Sequence, residues 1–140
     1  MHSVEGRIVL VTGGAMGMGR LYAEHAVAEG AAAVVLWDID ADALHATRDA
    51  LLARGGNVVA SVVDVASPGA VAAAADALIA TTGAPAIVVN NAGVVRSKPF
   101  WEHDPVRDTE FIVRINTLAT YPLPGTESQS VVLEVRRAGQ

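Results

Sequence analysis

A glycine-rich segment near the N-terminus has the residue types that a phosphate-binding loop requires. Residues 12–19 read Thr-Gly-Gly-Ala-Met-Gly-Met-Gly and follow a short apolar run. Glycines between a strand and a helix allow a tight turn and let the backbone approach a pyrophosphate, which the helix N-terminus then stabilises. The spacing is not the usual GxGxxG, and Arg20 and Leu21 stand where a kinase-type loop needs Lys and Ser or Thr. A plain glycine-rich turn is the alternative interpretation.

Asp38 is a second candidate for nucleotide chemistry, because it ends an apolar run 19 residues beyond Gly19. A carboxylate in this position can accept hydrogen bonds from ribose hydroxyls, and its charge would repel a 2′-phosphate. Residues 13–19 contain no basic side chain. The pattern therefore favours NAD over NADP as a ligand. The alternative is that Asp38 or Asp40 caps the next helix, a role for which Asp40 is better placed.

Polar residues also follow the next two apolar runs. Asp64 and Val65 come after one run, and residues 90–93, Asn-Asn-Ala-Gly, come after the other. In an open parallel sheet, ligands bind beyond the carboxyl ends of the strands. We therefore expect all four segments to meet at one edge and to form a single site.

The elements that would position these residues alternate regularly along the chain. Short β-branched or apolar runs predict strands at 7–12, 33–37, 57–63 and 86–89, and helical spacing with capping residues predicts helices at 17–29, 40–53, 67–83 and 104–120. This alternation is typical of βαβ units with right-handed crossovers. It predicts an α/β fold with a Rossmann-like, doubly wound parallel sheet of order 3-2-1-4, truncated after about four strands.

Together these motifs resemble the short-chain dehydrogenase/reductase family over residues 4 to about 121. The resemblance implies an NAD-dependent oxidoreductase acting on an alcohol or ketone, the lipophilic kind in particular. It also implies that Asn90 stabilises the sheet and that Asn116, in Arg-Ile-Asn-Thr, holds a water in the family's proton relay. The implied cofactor-binding residues are Thr12, Gly13, Ala15, Met16, Gly17, Met18, Gly19, Asp38, Ile39, Asp64, Val65, Asn91, Ala92 and Gly93.

The chain departs from the family pattern in its catalytic residues. The family uses a Tyr, a Lys four residues later and a Ser on the preceding strand, but here Ala26 and Gly125 follow Tyr22 and Tyr121 at that distance. Lys98, the only lysine, has Val94 four residues before it. We therefore expect a partial NAD-binding domain at 1–121 and an atypical tail at 122–140, without the fifth strand that carries the Ser.

Three hypotheses follow from this departure. The chain is a truncated or frame-shifted enzyme without turnover of its own, a non-catalytic nucleotide-binding or interaction module completed by another polypeptide, or an unstable remnant. Without a fifth strand, the free edge of the fourth would promote self-association, although the run at 131–135 could cover it.

Composition excludes several other classes of function. The formal charge of -5 argues against a nucleic-acid surface, and the absence of cysteine excludes disulfides and thiolate metal sites. The four histidines lack metal-ligand spacing, so no metal site is predicted. No apolar run is long enough for a membrane helix, and the first six residues lack the features of a signal peptide, so we expect a cytoplasmic protein.

Overall fold

The computed structural model describes residues 3–94, 100–102, 104–116 and 129–131, with only the backbone at 100, 105 and 129–131. The strands are β1 (Ile8–Thr12), β2 (Ala33–Asp38), β3 (Val58–Val62), β4 (Ile87–Asn90) and β5 (Gln129–Val131). The α-helices are α1 (Gly17–Ala28), α2 (Ala41–Leu52), α3 (Pro68–Thr81) and α4 (Phe111–Asn116). A 3-10 turn spans Phe100–Glu102, and a π-helical segment at Pro105–Glu110 leads into α4.

The strands form one parallel sheet in the order β3-β2-β1-β4-β5. The predicted order 3-2-1-4 and the doubly wound, Rossmann-like class are therefore confirmed. Because β2 lies on one side of β1 and β4 on the other, the chain reverses direction across the sheet at β1. A crevice at the carboxyl ends of the strands is expected at such a reversal.

The expectation that the fifth strand is missing is wrong, because β5 pairs with β4 in parallel over Ile87–Val89. The segment is only three residues long, and Val131 is its one β-branched member, so strand propensity gave little signal. Of the run at 131–135, which could cover this edge, Val131 lies in the strand. Residues 132–135 lie outside the described part of the chain.

Side chains of alternating strand residues fill two cores, one on each face of the sheet. Val9, Val11 and Leu36 belong to the core beneath α1 and α2, whereas Leu10 and Trp37 belong to the core beneath α3. Burial on both faces explains why these strands are continuous apolar runs rather than alternating ones.

The helices α2 and α3 each begin at a capping side chain, as the sequence predicted. The Asp40 carboxylate accepts from the Ala43 N–H at 3.0 Å, and the Ser67 hydroxyl accepts from the Ala70 N–H at 3.3 Å ahead of Pro68. Asp104 likewise accepts from two N–H groups of the segment that follows it. That segment is π-helical before it becomes α4, so the single α-helix predicted at 104–120 is wrong over 105–110. Residues 117–120 lie outside the described part of the chain.

Candidate functional site

The glycine loop between β1 and α1 depends on glycine for two physical reasons. Gly13 and Gly17 have φ of 64° and 57°, in the region that L side chains rarely adopt. A Cβ at Gly13 would lie 2.9 Å from Ala92 Cα, and one at Gly19 would overlap the Gly13 carbonyl oxygen. The loop is therefore packed directly against the segment that follows β4.

Ala15, at the centre of the loop, is held on both sides of its α-carbon. Its N–H donates to Asp38 Oδ2 at 2.9 Å, and its carbonyl accepts from the Thr47 hydroxyl at 2.6 Å. The adjacent Gly14 N–H donates to the Trp37 carbonyl at 3.2 Å. The end of β2 and the middle of α2 thus fix the path of the loop.

Asp38 is the last residue of β2, and its carboxylate is oriented by two backbone donors. Besides the Ala15 N–H, the Asp40 N–H donates to Oδ1 at 3.1 Å. A carboxylate has about four acceptor positions, so about two are left for a ligand. Because Asp40 supplies the helix cap, the Asp38 carboxylate can accept hydrogen bonds from hydroxyl groups in the cleft.

Thr12 and Asn91 join the glycine loop to the segment after β4. The Thr12 hydroxyl donates to the Val89 carbonyl at 3.4 Å and accepts from the Asn91 and Ala92 N–H groups, each at 3.1 Å. The Asn91 side-chain N–H₂ donates to the Thr12 and Gly13 carbonyls at 3.2 and 3.1 Å. Thr12 is buried, so in this structure its hydroxyl positions the loops.

Asn116, at the end of α4, holds the next part of the same segment. Its Oδ1 accepts from the Val94 N–H at 2.7 Å, and its Nδ2 donates to the Val94 carbonyl at 2.9 Å. A Cβ at Gly93 would lie 3.4 Å from the same Oδ1. The structure therefore gives Asn116 a positioning contact, and the water that the family resemblance implies stays a prediction.

Asp64 follows β3 and is exposed at the opposite end of the site. Its Oδ1 accepts from the Ala66 N–H at 2.9 Å, and its carbonyl accepts from the Ser67 N–H at 3.0 Å. These bonds turn the chain into α3 and leave Oδ2 without a hydrogen bond from the described residues.

A cleft of about 390 Å³ connects these segments at the carboxyl ends of the strands. Nine of the predicted site residues line it, namely Gly13, Met16, Asp38, Ile39, Asp64, Val65, Asn91, Ala92 and Gly93. Thr12, Ala15, Gly17, Met18, Gly19 and Asn116 do not line it and surround or support the loops instead. Sequence reasoning missed four lining residues: Trp37, Val63, Val94 and Ile115.

Of these four, Trp37 has the clearest signal in the sequence, since it directly precedes Asp38 at the strand end. It is 1% exposed, and its indole N–H has no hydrogen-bond partner among the described residues. Val63 similarly precedes Asp64. Val94 and Ile115 carry no local signal, because only the docking of α4 against the segment after β4 brings them to the cleft.

The arginines nearest the glycine loop are paired with carboxylates. Arg20, the first basic residue after the loop, donates to Glu24 at 3.0 Å and lowers the pKa of that carboxyl, with a smaller contribution from Arg54. Arg48 on α2 pairs with Asp49 at 2.8 Å. These three arginines are therefore engaged by carboxylates.

The described residues show neither a metal site nor a membrane-spanning helix. Over 3–94, 100–102 and 104–116, no group of three or more His, Asp or Glu residues is arranged to hold a metal ion. In the same part of the chain no helix is long and apolar enough to cross a membrane. Lys98 and Tyr121 lie outside the described residues.

Comparison with known proteins shows which family has this architecture. Residues 7–131 match the family model for short chain dehydrogenases. The chain is 42% identical over 112 residues to 2-dehydro-3-deoxy-L-rhamnonate dehydrogenase (NAD(+)) of a Sphingomonas strain, covering 79% of this chain and 43% of that protein. It is 38% identical over 120 residues to human estradiol 17-beta-dehydrogenase 11, covering 85% of this chain and 39% of that protein.

Solved structures give the same result. A short chain dehydrogenase/reductase from Burkholderia phymatum in complex with NAD superposes with a TM-score of 0.79 at 33% identity, covering 85% of this chain and 42% of that one. L-sorbose reductase from Gluconobacter frateurii, complexed with NADPH and L-sorbose, gives 0.75 at 30% identity, covering 82% and 43%. The chain thus spans about two-fifths of the length of these relatives. With its sheet order, glycine loop and family match, this chain belongs to the short-chain dehydrogenase family.

Proposed function

We propose that the cleft binds a nicotinamide adenine dinucleotide and that NAD is preferred to NADP. The observation that carries the proposal is the hydrogen bond between Asp38 Oδ2 and the Ala15 N–H, at 2.9 Å. This bond holds a carboxylate at the mouth of the cleft, against a glycine-rich loop of the kind that binds phosphate groups. The relatives complexed with NAD or NADPH support the general class of ligand, and the choice between the two rests on Asp38.

The chemistry of the donor set fits the parts of such a dinucleotide. The glycine loop would hold the pyrophosphate, because its glycines let the backbone approach and α1 begins at Gly17. Asp38 would accept from the adenosine ribose, and Ile39, Asp64 and Val65 would surround the base. Asn91, Ala92 and Gly93 would contact the nicotinamide riboside, held in place by Thr12 and Asn116.

The preference for NAD follows from electrostatics. A 2′-phosphate placed beside Asp38 would meet a like charge, and Arg20 and Arg48 are already paired with carboxylates. The unphosphorylated ribose instead offers two hydroxyl donors to the remaining acceptor positions of Asp38.

We propose the oxidation or reduction of an alcohol or ketone as the reaction class of the fold, with NAD supplying hydride chemistry when bound. A lipophilic substrate is consistent with the likeness to estradiol 17-beta-dehydrogenase 11, although another relative is named for a sugar acid.

The 140 residues contain no Tyr-x-x-x-Lys pair. We therefore propose a dinucleotide-binding unit without turnover of its own, which extends from the predicted 1–121 to the sheet strand β5 within the atypical tail at 122–140. We also propose that the protein is cytoplasmic.

Calorimetric titration of the purified chain with NAD, NADP and ADP-ribose tests the binding proposal. We expect NAD and ADP-ribose to bind and NADP to bind more weakly. Equal or stronger binding of NADP would overturn the preference, and no binding of any of the three would overturn the site itself.

Turnover is tested separately with a panel of secondary alcohols, followed by NADH absorbance. The absence of a placed acid or base typically removes ~10²–10⁴-fold in rate, so we expect no useful activity. Robust turnover that is abolished by Asn116→Ala or Tyr121→Phe would show that these residues form a working active site.

A second candidate is a nucleotide-binding or interaction module completed by another polypeptide. The exposed apolar side chains around α4 favour it, with Trp101 81%, Val106 67% and Val113 43% exposed. Isolation from the source organism, followed by mass spectrometry, tests it. A stoichiometric hetero-complex that shields these residues from labelling would support the module, and a chain recovered alone with them accessible would contradict it.

A further inference from the structure

Thr47 is a buried polar residue that belongs neither to the glycine motif nor to the lining of the cleft. It lies in α2 and is 1% exposed, and its hydroxyl donates to the Ala15 carbonyl at 2.6 Å. The two residues are 32 positions apart in the chain. Thr47 thus makes a direct, buried contact between α2 and the middle of the glycine loop.

The geometry of the peptide group gives this contact a consequence for the loop. In a trans peptide the carbonyl and the N–H point in opposite directions. Because the Ala15 carbonyl is directed to Thr47, the Met16 N–H of the same peptide is directed away from α2. Met16 is 56% exposed and lines the cleft, so this side of the loop is the one open to a ligand.

The same residue is tied to the carboxylate that determines the proposed cofactor preference. Ala15 donates its N–H to Asp38 Oδ2 while its carbonyl is held by Thr47. A rotation at Ala15 that loosened one of these bonds would also disturb the other. Thr47 therefore restrains both the loop backbone and the orientation of the Asp38 carboxylate.

We propose that Thr47 is a positioning residue for nucleotide binding, which it supports through Ala15. This inference rests on the proposed function of the cleft and adds to it a residue from outside the motif. A merely structural hydroxyl would affect the stability of the fold alone. A positioning hydroxyl also affects the affinity of the folded protein and its discrimination between NAD and NADP.

Three variants of the full chain separate these roles. Thr47→Val keeps the shape and removes the donor, whereas Thr47→Ser keeps the donor. Thr81→Val is the matched control, because the Thr81 hydroxyl also donates to a backbone carbonyl, that of Ala77 at 2.8 Å, at the far end of α3. Amide hydrogen exchange at Ala15, measured by NMR without ligand, reports on the loop independently of binding.

We expect Thr47→Val to speed amide exchange at Ala15 and to raise the dissociation constant for NAD about 5- to 20-fold. We also expect it to reduce the ratio of the affinity for NAD to the affinity for NADP. Thr47→Ser and Thr81→Val should leave all three close to wild type. Unchanged NAD affinity and ratio in folded Thr47→Val, even with a lower melting temperature or faster exchange, would overturn the inference. So would an equal loss in Thr81→Val. Failure of the wild-type chain to bind NAD, NADP or ADP-ribose would overturn the proposed function, and this inference with it.

Discussion

The side-chain amide of Asn116 forms two hydrogen bonds with the backbone of Val94, accepting at 2.7 Å and donating at 2.9 Å. The residues are 22 positions apart, and the pair joins α4 to the segment that follows β4. Because that segment lines the cleft, one side chain outside the cleft determines the position of its wall.

Asn116→Ala should therefore weaken NAD binding without unfolding the chain. Loss of two partly solvated hydrogen bonds is worth about 1–2 kcal/mol, so we expect a 5- to 30-fold rise in the dissociation constant. Asn116→Asp keeps the acceptor and should lie between the alanine variant and wild type. Titration calorimetry measures both, and wild-type affinity in the alanine variant would show that the contact does not support the site.

Asp38→Ala should remove much of the preference for NAD. A charge-assisted hydrogen bond to a ribose hydroxyl contributes about 1.5–3 kcal/mol, and the repulsion of a 2′-phosphate disappears with the carboxylate. Asp42→Asn is the matched control, since Asp42 is an exposed carboxylate in the first turn of α2. Titration with both cofactors should show that the ratio of the affinities for NAD and NADP changes in Asp38→Ala alone. An equal change in Asp42→Asn would indicate a general charge effect.

Alanine at three glycines should produce graded effects on stability. Gly13→Ala combines a positive φ with a 2.9 Å contact to Ala92 and should cost at least about 2 kcal/mol. Gly17→Ala has the positive φ but open space around it and should cost about 1 kcal/mol. Gly69→Ala, within α3 and without either constraint, should be neutral or slightly stabilising. Urea unfolding measures all three, and a different order would contradict the role given to Ala92.

Removal of β5 should promote self-association. A chain ending at Ser128 would expose the edge of β4 over Ile87–Val89, whereas a chain ending at Val131 would keep it paired. Light scattering coupled to size exclusion should find larger species for the shorter chain. Equal mass distributions for the two chains would show that the edge does not drive association.

Glu24 should stabilise the fold in a pH-dependent way. The hydrogen bond from Arg20 lowers its pKa below the ordinary value of 4.5, so its contribution is complete above that value and is lost as the pH falls through the lowered pKa. Thermal melts should show Glu24→Gln less stable than wild type at neutral pH, with the gap closing in acid. A gap that persists at the lowest pH would assign the effect to packing.

The sequence alone determined the succession of elements and most of the residues that line the cleft. Apolar runs, helical spacing, capping residues such as Asp40 and Ser67, and glycines at turns are local signals that act over a few residues. Since the carboxyl ends of parallel strands meet at one edge, the sequence was enough to assign Asp38 and Asp64 to a common site.

The tertiary structure decided what depends on distant parts of the chain. The direction of the Thr12 hydroxyl, the contact of Thr47 with Ala15 and the approach of Ile115 to the cleft all depend on how loops and helices pack. The pairing of β5 with β4 depends on a free sheet edge and hardly on strand propensity. These features join residues dozens of positions apart, and only the folded backbone brings their atoms within hydrogen-bond distance.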